Sequence, residues 1–429
     1  MGYLEELSWR DLLHQMTGEK ELRDHLGTPG RIGYCGFDPT ADSLTIGNLI
    51  PIKMLMHFQQ TGHKPIVLMG SGTGLIGDPS GKDDERQLLT LEQVEHNIAC
   101  QKKIFEPLLD FDPANPNAAV MVNNYDWLGK LGYIDVLRDV GKHFSVNVMI
   151  QKDSVRERLH GREQGISYTE FSYMVLQAYD FLHLRREMNC TLQVAGSDQY
   201  GNIVAGIDLI RREFGHEEGE AYGVTAPMVT KADGKKIGKT ETGAVWLTAD
   251  RTSPYAFYQF WINASDQDVI PFLKWYTLLG EEEIADLESQ HQAQPHLRVA
   301  HHTLASYMTK MLHGEKALAD VEAATKALFS GDVRRLDQTM LQEVLSDVPN
   351  TTHDKTLLEA EGVSLVELLP LTSLAQSKRE AREFLGNGAV MVNGERIEAD
   401  RRLTGRDLLH GMTILLRRGK KSWHATRWQ

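Results

Sequence analysis

The sequence predicts an α/β protein that opens with a doubly wound parallel sheet. Up to about residue 245, short apolar runs alternate with amphipathic segments, as strands and their covering helices do in such a fold. A polar or glycine-rich turn follows each of four apolar runs, which are predicted as buried strands at 31–35, 64–69, 118–123 and 191–194. Ligands of open α/β sheets collect beyond the carboxyl ends of the strands. One crevice is therefore expected where the four turns meet, at 36–40, 70–81, 123–126 and 196–202.

Two further domains are predicted after the first, which we place at residues 1–250. Aromatic residues and Leu become frequent at 251–330, and Pro254 and Pro271 can each begin a helix, so an all-helical domain is expected there. Gly, Asp, Pro, Asn and Thr are mixed at 331–355, which is typical of a linker.

The last domain, at 356–429, is predicted to be a small α+β domain. A helix is expected at 377–385, and strands are expected at 389–392 and 412–417. The Asn-Gly pair at 393–394 follows a hydrophobic run and is a strong signal for a hairpin turn.

Charge is unevenly distributed along the chain. The net charge of the 429 residues is −13, yet residues 376–429 contain 12 Lys and Arg against 6 Asp and Glu. Such a basic block would attract phosphate groups, although a solvated basic tail explains the same counts equally well. The hydrophobic content of 41% and the charged content of 24% fit a globular chain of two or three domains.

Composition also excludes several classes of protein. No uninterrupted run of about 18 apolar residues is present, so no membrane-spanning helix is expected. The first thirty residues are rich in acidic side chains, which disfavours a secretory signal or a transit peptide, and a soluble, cytoplasmic protein is expected. Cys35, Cys100 and Cys190 form no CxxC pair, which argues against a disulfide framework and a structural zinc site.

Residues 70–77 contain GxGxxG directly after a predicted strand, a pattern typical of dinucleotide binding. That pattern requires the third glycine to lead into a helix whose N-terminus binds the pyrophosphate. Here Asp-Pro-Ser-Gly at 78–81 interrupts the chain, so a dehydrogenase is disfavoured. The glycines would still allow a ligand to approach the backbone closely.

Two other segments carry features of a nucleotide site. Residues 34–48 join a strand to a helix that begins near Gly47 and could present free N–H groups to phosphate. Residues 235–240 place three lysines on a short loop, where compact positive charges suit the oxygens of a departing pyrophosphate. Either segment alone could be a structural turn or a solvated charge cluster, but together they favour a phosphate site.

These two segments resemble the signature motifs of class I aminoacyl-tRNA synthetases. Residues 45–48, Thr-Ile-Gly-Asn, resemble the HIGH motif, in which Thr45 and Asn48 replace two histidines, and residues 236–240, Lys-Ile-Gly-Lys-Thr, resemble the KMSKS loop. The sequence is similar to bacterial tyrosyl-tRNA synthetases from about residue 30 to the C-terminus, most clearly at 34–44, 74–81, 123–127, 141–147 and 170–173.

The resemblance implies the activity of a tyrosine–tRNA ligase on a Rossmann-like catalytic domain. Such an enzyme activates L-tyrosine with ATP to tyrosyl adenylate and transfers tyrosine to the terminal ribose of its tRNA. ATP would enter with Mg²⁺ as a substrate, with no tightly bound cofactor and no metal site on the protein. A homodimer without membrane contact is implied. Two alternatives stay open, an RNA-binding or processing factor that has lost catalysis and another nucleotidyl transferase of the same superfamily.

Site residues follow from the same resemblance. Tyrosine would be bound by Tyr34, Asp78, Tyr173, Gln177, Asp180 and Gln199. ATP would be bound by Gly36, Asp38, Thr45, Gly47, Asn48, Gly196, Asp198 and Lys239. Catalysis would depend on Thr40, Lys82, Arg86, Lys236, Lys239 and Thr240. RNA would be bound by the last domain through Lys378, Arg379 and Arg382.

The chemistry of these side chains agrees with the tyrosine assignment. Tyr173, Gln177 and Asp180 lie at i, i+4 and i+7 of a helical stretch, so they project from one face. On spacing alone, a polar face against solvent would be the simpler interpretation. The Asp180 carboxylate can accept the phenol proton and the Tyr34 hydroxyl can add a second hydrogen bond. Phenylalanine would therefore leave both groups buried without a partner.

Overall fold

The computed structural model describes residues 2–79, 88–152, 155–156, 159, 165–240, 243–330, 333–345, 348–359, 361–419 and 422–429. For five of these positions it describes the backbone alone, namely 239, 240, 329, 330 and 335. The chain divides into two compact units, the first formed by residues 1–252 and 261–312 and the second by residues 253–260 and 313–429.

A six-stranded sheet organises the first unit. Its strands are β1 (Gln15–Met16), β2 (Ile32–Phe37), β3 (Lys64–Met69), β4 (Val120–Asn123), β5 (Leu192–Gly196) and β6 (Tyr222–Ala226). Their spatial order is β1-β6-β5-β2-β3-β4. Strands β2 to β6 pair in parallel, and β1 runs antiparallel to β6. The predicted doubly wound α/β fold is confirmed. A short hairpin, β7 (Lys239–Thr240) and β8 (Gly243–Ala244), pairs separately.

All four predicted strands are present, with ends that shift by two residues or fewer. Two strands of the sheet were not predicted, β1 and β6. Strand β6 reads Tyr-Gly-Val-Thr-Ala and so lacks an unbroken apolar run. Strand β1 has only two residues, and its pairing of Gln15 with Thr225 is a contact across the fold that no local pattern reveals.

Helices connect these strands. They are α1 (Tyr3–Trp9), α2 (Glu19–Leu26), α3 (Ile46–Gln60), α4 (Ser71–Gly74), α5 (Leu91–Phe105), α6 (Tyr125–Leu128), α7 (Tyr133–Asp135), α8 (Val146–Met149), α9 (Tyr168–Met188) and α10 (Tyr200–Glu218). Helices α9 and α10 pack on the sheet through a shared apolar core that includes Ala178, Phe181, Ile203 and Ile207. Among the helices of the described residues, none combines the length and apolar character that crossing a bilayer would need.

A helical region follows along the chain. Its helices are α11 (Pro254–Ile262), α12 (Val269–Tyr276), α13 (Glu281–Ala293) and α14 (Val299–Ser330), the last interrupted at Gly314. Within the first unit, the ring of Trp261 packs edge-on against Tyr276, with ring centroids 5.0 Å apart. The buried guanidinium of Arg10 donates to the carbonyls of Lys274 and Thr277 at the end of α12, where a cation complements the helix dipole.

The second unit contains a five-stranded sheet of order β12-β11-β14-β15-β9 and a two-stranded pair, β10 with β13. The strands are β9 (Asn350–His353), β10 (Val363–Ser364), β11 (Val390–Val392), β12 (Glu395–Arg396), β13 (Arg402–Leu403), β14 (Thr413–Arg418) and β15 (Ser422–Trp428). Its other helices are α15 (Gln338–Val344), α16 (Leu365–Leu368) and α17 (Lys378–Gly386). The predicted helix and two predicted strands correspond to α17, β11 and β14.

Strand β9 pairs in parallel with β15, and neither strand was predicted. Strand β9 and helix α15 both lie within the stretch predicted as a linker. The sequence of β9 is Asn-Thr-Thr-His, and a strand at the edge of a sheet needs backbone partners more than apolar side chains. The domain boundaries at 250, 330 and 355 stay predictions.

Gly223→Ala should destabilise the first unit. A Cβ atom at Gly223 would lie 2.3 Å from Cγ2 of Ile203, in the tightly packed layer between β6 and α10. Overpacking of this kind costs roughly 1–3 kcal/mol, which urea unfolding would detect. Gly141→Ala is the control, because the nearest atom to its new Cβ would be 3.5 Å away, an ordinary contact. Equal stability of the two variants would contradict the packing argument.

Candidate active site

A cavity of about 460 Å³ opens beyond the carboxyl ends of β2, β3 and β5. Its walls are the turns after these strands, the first turn of α3, one face of α9, and residues 227–229 and 236–237. This position is the crevice that the strand pattern predicts, because the carboxyl ends of parallel strands meet at one edge of a sheet.

Most of the predicted substrate residues line this cavity, namely Tyr34, Gly36, Asp38, Thr40, Gly47, Asn48, Asp78, Tyr173, Gln177, Asp180, Gly196, Asp198, Gln199 and Lys236. Thr45 is not among the lining residues. Lys82 and Arg86 lie outside the described residues, as do the side chains of Lys239 and Thr240. Lys378, Arg379 and Arg382 are exposed on α17 in the second unit, and an ion pair joins Lys378 to Glu367.

The carboxylate of Asp180 belongs to the lining of the cavity, and the residue is 1% exposed. Its Oδ2 accepts a hydrogen bond from Nδ2 of Asn124 at 2.9 Å, and its Oδ1 accepts one from Nε1 of Trp127 at 2.7 Å. Burial raises the pKa of Asp180 to about 7, although both hydrogen bonds lower it and the charge of Asp38 raises it further. The carboxylate is therefore a strong acceptor whose charge is only partly compensated.

The hydroxyl of Tyr34 is buried in the wall of the same cavity and makes no hydrogen bond with any described residue. Burial and the neighbouring charge of Asp180 raise the pKa of this phenol well above its usual value. An unpartnered buried hydroxyl costs roughly 1–3 kcal/mol. A ligand with a hydroxyl group could satisfy Tyr34 and Asp180 together.

Asp38 lines the cavity and accepts hydrogen bonds from the hydroxyl groups of Tyr173 and Thr73. The hydroxyl of Tyr173 donates to its Oδ2 at 2.8 Å, and that of Thr73 donates to its Oδ1 at 2.7 Å. The carboxylate assigned to ATP is therefore joined directly to a tyrosine assigned to the amino acid. Its negative charge lies at the boundary between the two predicted subsites.

A second set of amides and carboxylates lines the opposite wall. The Nε2 of Gln199 donates to Asp78 at 2.7 Å and to Asp198 at 2.9 Å. The Nδ2 of Asn202 donates to Oε1 of Gln177 at 2.9 Å and to Oε1 of Gln199 at 3.1 Å. The Oε1 of Gln177 is engaged in a hydrogen bond, and so are both the Oε1 and the Nε2 of Gln199. These contacts fix the orientation of both glutamine side chains.

The N-terminus of α3, which is predicted to bind the nucleotide, forms another edge of the cavity. Thr45 is the residue that precedes the helix, and its backbone N–H and hydroxyl both donate to Oδ1 of Asn48, at 3.0 Å and 2.9 Å. Thr45 is therefore the N-cap residue of α3, and the side chain of Asn48 accepts from its backbone N–H as in a capping box. A threonine before a helix is a normal capping residue, so this structural role stands beside the predicted contact with ATP. The amide oxygen of Asn48 is engaged, so its amide nitrogen is the group that can donate to a ligand.

The lysine loop is linked by backbone contacts to the same helix end. The N–H of Val245 donates to the carbonyl of Gly238 at 2.8 Å, and the N–H of Ile46 donates to the carbonyl of Val245 at 3.2 Å. Gly238 has a φ of 80°, which favours glycine there. Ile237 is buried while Lys236 is exposed at the cavity wall. The loop therefore places Lys236 beside the first turn of α3.

The glycine run after β3 has a packing role. A Cβ at Gly70 would lie 2.2 Å from Oδ1 of Asp38 and 2.6 Å from Oγ1 of Thr73. The helix that follows, α4, ends after four residues at Gly74, and this short helix is incompatible with a dinucleotide fingerprint. Gly70 is needed because the Asp38 carboxylate approaches the backbone at that point.

Sequence reasoning missed Asn124, Trp127, Thr73 and Gln193. The first three make the hydrogen bonds to Asp180 and Asp38 given above, and Gln193 is a buried residue of β5 that lines the cavity. A signal for Asn124 was available, because the turn after β4 was expected at the crevice. The donors to Asp180 lie more than 50 positions earlier in the chain, so no spacing rule could pair them with it.

Two family models match the chain. Residues 31–330 match "tRNA synthetases class I (W and Y)", and residues 340–426 match "Tyrosine--tRNA ligase SYY-like C-terminal domain". A nucleotide-sized cavity at the edge of a doubly wound sheet, with a capped helix end and a lysine loop beside it, agrees with the first match. The fold and the site define a class I aminoacyl-tRNA synthetase, a ligase whose class uses ATP with Mg²⁺.

Solved structures are similar as well. A C-terminally truncated mitochondrial tyrosyl-tRNA synthetase from Aspergillus nidulans is 28% identical, over 76% of this chain and 94% of that one, with a TM-score of 0.68. The Coccidioides posadasii counterpart is 29% identical, over 75% and 91%, with a TM-score of 0.63. The Archaeoglobus fulgidus tyrosyl-tRNA synthetase shares the fold at 16% identity, over 74% and 99%, with a TM-score of 0.55. The chain belongs to the class I tRNA synthetases of the W and Y family, and its function is that of a tyrosine–tRNA ligase.

Asp180→Asn should remove a pH dependence of stability. The folded state raises the pKa of Asp180 from 3.8 to about 7, so it binds the proton more tightly than the unfolded state does. The resulting stabilisation is fully present below about pH 4 and is lost as the pH rises through 7. Between pH 5 and pH 8, the unchanged protein should therefore lose about 2–3 kcal/mol more stability than the variant, as measured by urea unfolding.

Asp24→Asn is the matched control, because Asp24 is an exposed carboxylate on α2. It should retain the pH dependence of the unchanged protein. A pH dependence that survives in Asp180→Asn would show that the buried carboxylate is not its source.

Proposed function

We propose that this ligase is of the bacterial type and that it selects L-tyrosine by the phenol hydroxyl. The observation that carries the proposal is the unpartnered hydroxyl of Tyr34 beside the buried carboxylate of Asp180. The phenol of the substrate would accept from Tyr34, which lacks a partner, and would donate to Asp180 beside the donors Asn124 and Trp127. Phenylalanine would fill the same space, leave the Tyr34 hydroxyl without a partner and give Asp180 no third donor.

The amino-acid end of the substrate would lie nearer the opening. The charges of Asp78 and Asp38 favour an ammonium group, and Tyr173 and Gln177 provide oxygens at the same depth of the cavity. Gln199 would face the reacting carboxylate. Its hydrogen bonds to Asp78 and Asp198 support this role, because they hold the amide in one orientation.

ATP would bind along the N-terminus of α3 and the lysine loop. Gly36, Asp38, Gly47, Asn48, Gly196 and Asp198 would hold the adenosine and its first phosphate, with Thr45 acting through Asn48. The positive and polar groups proposed for the pyrophosphate are Thr40, Lys82, Arg86, Lys236, Lys239 and Thr240. Mg²⁺ would arrive with ATP as part of the substrate, and no protein cage is proposed for it.

The reaction would proceed in two steps. A carboxylate oxygen of tyrosine attacks the α-phosphorus of ATP, the bond to the bridging oxygen breaks, and pyrophosphate leaves with its electron pair. A ribose hydroxyl of the tRNA terminus then attacks the tyrosyl carbonyl, and AMP leaves. Neither step forms a covalent bond to the enzyme, so positioning and charge stabilisation by Lys236 and its neighbours supply the rate enhancement.

We also propose that the protein forms a homodimer and that it works in the cytoplasm. Large apolar side chains are exposed over one stretch of the first unit, namely Tyr133, Ile134, Leu137, Val146, Val148, Ile150 and Tyr168. An exposed apolar group of this size is typical of a protein interface. Cys35, Cys100 and Cys190 are free thiols, which suits a reducing compartment.

The last domain is proposed to bind tRNA. Its α17 carries Arg379 and Arg382 as exposed side chains, and exposed guanidinium groups suit phosphate oxygens. The Glu367 carboxylate neutralises Lys378 in part. The two arginines therefore contribute more of the available positive charge than Lys378 does.

ATP–pyrophosphate exchange tests the activation step, and it should occur with tyrosine alone when each amino acid is supplied in turn. Lys236→Ala should lower the exchange rate by roughly a hundredfold, because it removes a charge that acts on the departing pyrophosphate. The affinity for tyrosine, measured by equilibrium dialysis, should stay unchanged, since Lys236 is remote from the phenol end.

Lys235→Ala provides the control. Lys235 is the adjacent lysine, but it is exposed, pairs with Asp233 at 3.4 Å and does not line the cavity. Its exchange rate should match that of the unchanged protein. Exchange with an amino acid other than tyrosine, or none at all, would reject the proposed substrate, and equal losses from both lysine variants would reject the role of Lys236.

Replacing Arg379 and Arg382 together by Ala should weaken tRNA binding and flatten its dependence on salt. Each lost phosphate contact lowers the slope of log affinity against log salt concentration by roughly 0.7–0.9. Tyrosine activation should be unaffected, because the cavity lies in the first unit. Filter binding at several salt concentrations measures the affinity for tRNA and its dependence on salt.

The control is the paired change Lys316→Ala and Lys326→Ala, which removes the same charge from exposed positions on α14. It should leave the slope nearly unchanged. If both double variants weaken tRNA binding equally, the overall charge and not the proposed surface of α17 determines affinity.

A further inference from the structure

Three side chains of the types that bind metal ions lie together in the helical region of the first unit, and none of them lines the active-site cavity. Asp266 is in the loop between α11 and α12, His291 is in the last turn of α13, and His301 is in the first turn of α14. One ligand atom from each lies within 4.8 Å of the other two. Oδ1 of Asp266 is 3.3 Å from Nε2 of His301 and 3.9 Å from Nε2 of His291.

The two histidines differ sharply from ordinary surface histidines. The side chain of His301 is 0% exposed, that of His291 is 10% exposed, and Asp266 supplies the exposed side of the group. The Nδ1 of His291 is buried without a hydrogen bond among the described residues, while its Nε2 contacts the carbonyl of Asp266 at 3.2 Å. Both ring nitrogens of His301 are buried, and the groups beside them are the Asp266 carboxylate and the backbone of Ala264. Buried nitrogens without a strong partner destabilise the folded state.

The ligand atoms lie within 4.8 Å of one another, and one separation is that of neighbouring ligands around a metal ion. Zn²⁺ binds His nitrogen and carboxylate oxygen at about 2.0–2.2 Å in a tetrahedral arrangement, which places neighbouring ligand atoms about 3.4 Å apart. The Asp266–His301 separation meets this value, and the Asp266–His291 separation exceeds it by an amount that a rotation of the exposed Asp266 side chain can close. Hard cations such as Mg²⁺ prefer oxygen ligands and fit this set less well.

Space for a fourth ligand is present on the exposed side. A cavity of about 380 Å³ is lined by Asp266 and His291 and also by Glu288, one helical turn before His291. A water molecule or the Glu288 carboxylate could complete the tetrahedron there. Two cations oppose a metal ion there, Arg298 and Lys274. The Arg298 guanidinium donates to the carbonyl of Ile262, and Lys274, which lines the same cavity, pairs with Asp11 at 3.3 Å. Asp266 and Glu288 supply two negative charges at the site.

We propose that Asp266, His291 and His301 form a binding site for one divalent transition-metal ion, with Zn²⁺ the best match. An ordinary hydrogen-bonded cluster accounts for the approach of Asp266 to His301 and for the contact of His291 with the Asp266 carbonyl, but it leaves the Nδ1 of His291 buried without a hydrogen bond among the described residues. A metal would give each of the two buried imidazole rings a strong partner. The ion would join the loop before α12 to the ends of α13 and α14, so its role would be structural and separate from catalysis.

Titration of the full chain with Zn²⁺ alone, after removal of metals by a chelator, tests the site. Calorimetry should show one tightly bound Zn²⁺ per chain, and the midpoint of thermal unfolding should rise by several degrees when the metal is added, because the ion binds the folded state only. Asp266→Asn and His291→Gln should each lower the affinity by roughly tenfold or more.

His296→Gln is the matched control, because His296 is an exposed histidine between the two ligands along the chain. It should bind Zn²⁺ as the unchanged protein does. Asp266→Asn keeps the proposal testable if a histidine variant fails to fold, since Asp266 is exposed. The absence of stoichiometric binding, or binding that both ligand variants leave intact, would overturn the proposal.

Discussion

The buried carboxylate of Asp180 is the constraint on which the arrangement of the site depends. Removing a charged carboxylate from water costs several kcal/mol unless donors replace the lost hydration. Here Asn124 and Trp127 supply two donors, yet burial still raises the pKa to about 7. The two donors therefore compensate the charge of Asp180 only in part. The hydroxyl of Tyr34 lines the same cavity and makes no hydrogen bond with any described residue. In the proposed function, the phenol of the substrate is the partner of both groups.

The side chains that satisfy Asp180 also connect the two ends of the cavity. Asn124 donates to Thr73 as well as to Asp180, Thr73 donates to Asp38, and Asp38 accepts from Tyr173. A continuous series of hydrogen bonds therefore joins Asp180 to Asp38 and Tyr173 along the lining of the cavity. Groups held in this way need little rearrangement when charge develops during the reaction, which is the main source of electrostatic catalysis. Gly70 allows Asp38 to take this position, because a Cβ atom at Gly70 would lie 2.2 Å from Oδ1 of Asp38.

Backbone groups make most of the contacts that hold the N-terminus of α3 beside the lysine loop. Thr45 caps α3 and orients Asn48, while the carbonyl of Val245 accepts from the first residue of the helix. These contacts place the lysine loop beside the helix N-terminus, so the partial charge of the helix and the charge of Lys236 act on the same region. Replacement of two histidines in the motif has therefore left a structured helix end, with Asn48 positioned to donate.

The sequence by itself determined the class of fold and the four strands that end at the crevice, because apolar runs and turn residues are local and repeat with the period of each element. Its resemblance to tyrosyl-tRNA synthetases supplied the candidate substrate residues, most of which line the crevice. Only the tertiary structure decided which groups satisfy Asp180, since Asn124 and Trp127 lie far from it in the chain. It also revealed strands β6, β9 and β15, and it brought Asp266, His291 and His301 together. Contacts between distant segments depend on how the elements pack, and no local pattern encodes that packing.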